Sequence, residues 1–182
     1  ACETDGNGGA IAMDSKSTLS LLTSTFSDRN KAHANGGAIF VTKESSLSVT
    51  RCTFGDISTT TEQTAALPSE QTSHNSKQGG AIFIHNSAAD VTASTFAGLR
   101  SSVSGGAITT TGKKGYTSFT NVTIFNCASK QGGAFVTSQN HKNTLHNISV
   151  QNCGAESGGA LALLSGSQAM LSASKFESNT AY

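Results

Sequence analysis

Six glycine pairs divide the chain, and each opens the same short phrase. Gly8-Gly9, Gly36-Gly37, Gly79-Gly80, Gly105-Gly106, Gly132-Gly133 and Gly158-Gly159 are each followed by alanine and then by Ile11, Ile39, Ile82, Ile108, Phe135 or Leu161. The steps between first glycines are 28, 43, 26, 27 and 26 residues. A period in the twenties without helical periodicity implies a coil that buries its apolar face only by stacking on copies of itself. Two adjacent glycines suit a corner of positive φ, or a close approach of neighbouring backbones, repeated at the same place in every turn.

Two further apolar landmarks keep phase with the glycines. Phe26, Phe54, Phe96, Ile124, Val150 and Phe176 follow the pairs by 18, 18, 17, 19, 18 and 18 residues, and Leu21, Val49, Val91, Phe119, Leu145 and Leu171 lie five residues before them. Each landmark is flanked by alternation, so three short strands per turn are expected. Stacking like on like predicts an aliphatic column from Ile11 to Leu161 and an aromatic-aliphatic column from Phe26 to Phe176. The fold class is all-β, a β-solenoid of about six rungs. Residues 1–182 read as one segment, with an inserted loop over 58–75 where the 43-residue step breaks the period. That loop contains the only proline, Pro68. It reads either as an added functional excursion or as a tolerated one.

Charge narrows the classes of partner. The formal net charge is +1 with 13% charged residues, which supplies no basic stripe for nucleic acid. No apolar run is long enough to span a bilayer, and no charged start leads into an apolar signal segment. Neither end carries a polar cap. A coil uncapped at both ends exposes unpaired backbone ladders, so the continuation of the same chain, or other copies, is expected to cover both.

Several residues are candidates for chemistry. Asp28 and Asp56 share a column with Gly98, Asn126, Asn152 and Ser178. Two carboxylates ~4.8 Å apart should raise one pKa or recruit a cation, as a weak calcium site would. They are also the pair on which a polysaccharide-cleaving enzyme would depend, although no third acid or stacked base accompanies them. Asn126 over Asn152 predicts an amide ladder. Cys127 and Cys153 fall five residues before a glycine pair and so in one column, where buried thiols or a disulfide are both open. Cys52 reads as a small core residue. His33, His74, His85, His141 and His146 share no column, which leaves them as surface histidines without a metal cluster. The glycine pairs carry no Walker or dinucleotide pattern, and no cofactor is implied. Asn121-Val122-Thr123 and Asn147-Ile148-Ser149 are sequons aligned on successive rungs, where glycans are expected on one face. Phe40 and Phe83 alternate out of phase with the core, so they should point outward and stack, either as a contact surface or beneath a neighbouring loop.

The repeated Gly-Gly-Ala-Ile/Leu/Phe, answered some eighteen residues later by Thr-Phe or its substitute, resembles the repeat of the chlamydial polymorphic membrane proteins and their relatives. The resemblance covers the whole chain. The second motif of those proteins, Phe-x-x-Asn, is kept at Phe176-Glu177-Ser178-Asn179. The resemblance implies a right-handed parallel β-helix displayed outside a cell, within an adhesin or a large repetitive surface protein, and carries over no catalytic residues. The expectation is a non-catalytic extracellular module of an adhesin, filament or coat, touching a host or matrix protein or glycan. The alternative is a lyase or hydrolase on the same coil.

Overall fold

The computed structural model describes residues 2–27, 30–55 and 76–182. It is an all-β parallel solenoid of about six turns. One face is a six-stranded parallel sheet built from the segments after each glycine pair: Ile11–Met13, Ile39–Val41, Ile82–His85, Ile108–Thr111, Phe135–Ser138 and Leu161–Leu163. The second face is the wide sheet that holds the other two landmarks. In the fourth and fifth rungs those two landmarks lie on single strands of ten residues, Tyr116–Phe125 and Lys142–Gln151. A third face, not among the three expected strands, consists of two- to four-residue pieces such as Ser76–Gln78 and Ser101–Ser104. Its Ser and Gln residues lack the apolar alternation that betrays a strand.

The columns are in the expected register. Ile82 pairs with Ile39 and Ile108, and Phe135 with Ile108 and Leu161. Phe26, Phe54 and Phe96 stack as parallel rings, with centroids 4.8 and 4.7 Å apart. Rung spacing is close to the offset-stacking distance of aromatic rings, so the backbone ladder and the ring column reinforce one another. Phe119 meets Phe135 edge-on across the bore at 4.8 Å, which joins two faces. In the middle rungs these side chains are fully buried, whereas Leu171 and Phe176 in the sixth are 42% and 39% exposed.

Both readings of the glycine pair hold, one for each glycine. Gly79 sits at φ +63°, and a Cβ there would overlap the Ile82 carbonyl oxygen. Gly80 has an ordinary φ, but a Cβ would drive into the carbonyl of Gly106 on the next rung. The first glycine makes the bend and the second lets the rungs touch. Their amides continue the ladder, Gly79 N–H donating to Ser104 O at 2.9 Å and Gly80 N–H to Gly105 O at 3.1 Å.

Gly80→Ala is expected to destabilise the fold by about 3 kcal/mol, because the overlapping atom belongs to backbone that cannot rotate away. Phe96→Ala is expected to cost about 3–5 kcal/mol through the cavity it leaves. Ser48→Ala, on the outer side of the wide sheet, should stay within about 0.5 kcal/mol. Urea unfolding of the three variants measures all of this.

Candidate functional site

The edge where the first sheet turns into the wide one carries most of the polar relief. In four rungs the turn is made by two consecutive residues of positive φ: Ser15 and Lys16 (55° and 61°), Lys43 and Glu44 (52° and 62°), Gln139 and Asn140 (56° and 61°), Ser165 and Gly166 (52° and 72°). The third rung has only Asn86 at positive φ, while the fourth turns through Gly112 and Gly115 with Lys113 and Lys114 between them. This accounts for the 17- and 19-residue spacings in the sequence: one rung is a residue short at this turn and the next a residue long. Every strand around it stays in register.

Two grooves follow one another along this edge. The first, about 580 Å³, is lined by Ser15, Lys16, Lys43, Glu44, Asn86 and Lys114. The second, about 520 Å³, continues from Asn86 and Lys114 to Gln139, Asn140 and Ser165. Lys43 Nζ lies 2.9 Å from Asp14 and Lys114 Nζ 2.8 Å from Glu44. The hydrogen bond from Lys43 holds the Asp14 carboxyl below its usual range. Lys114 does the same for Glu44, with Lys16 adding to the effect, and the Lys114 ammonium is raised in return. These pairs are solvent-exposed, so they orient side chains more than they stabilise the fold.

Directly inside the edge lies a polar cluster in a bore that is otherwise apolar. The column that reads Met13, Val41 and Ile84 in the first three rungs becomes Thr110 and Thr137, and the column Leu47 and Ala89 becomes Thr117 and Asn143. Asn143 donates from Nδ2 to Thr110 Oγ1 at 3.0 Å and to Thr137 Oγ1, and its Oδ1 accepts from Thr117. His141 completes the cluster with no exposed surface. Its Nδ1 donates to Gly112 O at 3.2 Å and its Nε2 lies 3.4 Å from Thr117 Oγ1. The corresponding positions in other rungs are Ser45 and Ser87, whose hydroxyls accept backbone N–H groups of the preceding rung at 3.2 Å. His141 instead reaches the carbonyl of the lysine-bearing turn and props it from within. Burial lowers its pKa, partly offset by the bond to Gly112.

The expectation of surface histidines therefore fails at His141. Exposure does hold for His33 and His146, and His85 is half-buried. The signal was present in the register, since His141 takes a buried serine's place and its neighbours replace aliphatic residues. His74, Asp28, Asp56 and the loop at 58–75 lie outside the described residues. Among the described residues no three His, Cys, Asp or Glu side chains come together to hold a metal, and no helix is long and apolar enough to cross a membrane.

Phe40 and Phe83 do stack, with centroids 5.5 Å apart and planes within 2°. Phe83 is only 6% exposed, so the ring surface on offer is that of half-buried Phe40. Cys127 and Cys153 are buried free thiols on neighbouring rungs, each donating to the carbonyl two residues back, at 3.3 and 3.4 Å. Burial and the neighbouring Cys153 push the Cys127 thiol up, which keeps it protonated. Cys52 belongs to its serine column, accepting the Ser24 N–H at 3.4 Å. Asn126 and Asn152 both occupy a positive-φ corner. A direct amide-to-amide bond is present at the preceding corner, where Asn147 Nδ2 donates to Asn121 Oδ1 at 2.7 Å. Both sequon asparagines are exposed, at φ 56° and 52°.

No protein-family model, no curated protein and no solved structure matches the chain.

Two outcomes follow from this geometry. A histidine whose folded-state pKa is lowered binds fewer protons folded than unfolded, so stability is full above the ordinary value of 6.5 and falls as pH drops below it. Thermal melts between neutral pH and about pH 5 should show that decline, and His141→Gln should flatten it. For the sequons, amide nitrogens one rung apart, ~4.8 Å, leave no room for two sugar chains. In a glycosylating host, intact mass of folded material should show one occupied asparagine of the two.

Proposed function

We propose that this chain is a non-catalytic β-helix module of an extracellular adhesin, filament or coat, acting as a stiff spacer that holds surface groups at fixed heights. The observation that carries the reading is the unbroken parallel registration of the first sheet from Ile11 through Leu161. Such a ladder resists bending, because tilting one rung breaks hydrogen bonds along a whole side. Length variation, both at the polar edge and in the 43-residue step between Gly36 and Gly79, leaves that ladder intact. The weakly charged, hydroxyl-rich exterior and the resemblance of the repeat to surface-displayed proteins support the extracellular placement. The first and sixth rungs present the same column types, Ile11 with Leu161 and Phe26 with Phe176, so a further rung of this repeat would continue the core at either side.

The enzyme alternative depends on Asp28 and Asp56, and no described feature adds to it. Labelling intact source cells with a membrane-impermeant amine reagent should modify the parent protein without lysis. Labelling only after lysis would overturn the extracellular reading. Incubation with pectic and uronate polymers should release no new ends. Turnover abolished in an Asp28→Asn, Asp56→Asn variant that keeps its fold would instead establish the enzyme.

A further inference from the structure

The edge groove has a length, a charge pattern and a periodicity that together specify a ligand. It runs across all six rungs, from Ser15 to Ser165, parallel to the coil axis. The chain as a whole carries +1. Lys16, Lys43, Lys113 and Lys114 gather on this edge against Asp14 and Glu44 alone, so positive charge is concentrated there. The two ion pairs leave part of it uncommitted. Glu44 is shared between Lys114 and the field of Lys16, and Lys113 has no acid beside it among the described residues. Between the lysines stand amide side chains, Asn86, Gln139 and Asn140. Asn86 is already fixed in place, accepting the Lys114 N–H at Oδ1 (3.2 Å) and contacting His85 Nε2 at 2.8 Å. Beneath the lysine turn, His141 is bonded to Gly112 O, so the floor of the groove is rigid.

We infer that this edge binds a linear acidic polysaccharide, whose carboxylate or sulfate groups meet Lys16, Lys43, Lys113 and Lys114 while its hydroxyls bond Asn86 and Asn140. Rungs repeat every ~4.8 Å, close to the advance of one sugar residue along an extended glycan, so a straight chain keeps step with the lysines and amides over the whole edge. Duplex nucleic acid fits the pattern poorly. It carries a charge every ~1.7 Å and would be forced against Asp14 and Glu44, whereas a glycan can place its anions between them. No aromatic ring lines the groove, so neither base stacking nor ring stacking on a neutral sugar has a platform. The inference is drawn from the groove alone. Loss of the extracellular reading leaves it standing, and a failure to bind leaves the rod intact.

The test is calorimetric titration of the folded protein at low salt with oligogalacturonate and with a heparin-derived oligosaccharide, each long enough to span the groove. A neutral dextran oligomer and a DNA duplex serve as comparisons. At least one acidic glycan should bind, more tightly than DNA, with affinity that falls as salt rises. Dextran should not bind. Preference between the two distinguishes carboxylate from sulfate as the source of the anion. Lys16→Gln with Lys113→Gln, both exposed, should weaken binding about ten-fold, the scale of two solvent-screened charge contacts. Lys31→Gln with Lys175→Gln, equal in charge but off this edge, should leave it unchanged. Absence of binding to both acidic glycans, equal loss in the two double variants, or tighter binding of DNA would each overturn the inference.

Discussion

Everything in this molecule depends on backbone meeting backbone at the glycine corner. The carbonyl of Gly106 occupies the space where a side chain on Gly80 would begin, and the same contact joins Gly106 to Gly133 and Gly133 to Gly159. Rungs can approach this closely only where the residue facing the neighbouring carbonyl carries no Cβ. Once they do, neighbouring strands are held at hydrogen-bonding distance, and the apolar residues two positions on fall above one another. The stacked phenylalanines and the aliphatic column follow from that one contact and then reinforce it.

A solenoid built this way varies where neither backbone contact nor a buried column holds it. The glycine corner is fixed by contact, and the apolar corners are fixed by the columns they bury. The Lys43-Glu44 type of turn is fixed by neither. Its residues sit at positive φ and face water, so the chain can lose a residue at Asn86 or gain one at Lys113-Lys114 without shifting a column. Variation and polar side chains accumulate at the same edge for the same reason. The sequon corner is more constrained, because Asn121 and Asn147 bond one another through their side chains.

How much of this the sequence disclosed follows from how strongly each feature is repeated. The glycine pairs and the three apolar landmarks recur six times, and the columns inferred from them are those found. The third face has no apolar alternation, and it emerged only from backbone pairing such as Arg100 with Ala128 and Ala128 with Gly154. His141 was hidden for a different reason. Compared with the other histidines it shows no common spacing. Compared with its own column, the row of Ser45 and Ser87, it marks a buried position. Features that break a repeat become visible only once the repeat has been aligned to itself. The burial of Phe83 had no such marker, since its outward phase is correct.

The polar cluster of Thr110, Thr137, Thr117, Asn143 and His141 bears on how the coil finds its proper pairing. Rungs that look alike have a hazard that irregular folds lack: a segment can slip by a whole turn and still bury Ile on Ile and Phe on Phe. An apolar column cannot tell the fourth rung from the third. Asn143 can, because displaced by one turn it would face Ala89 or Ile84 in place of threonine hydroxyls, leaving a buried amide without partners. The cluster is thus a key cut into one level of the stack, giving a nearly periodic chain a single address from which the remaining rungs can be counted.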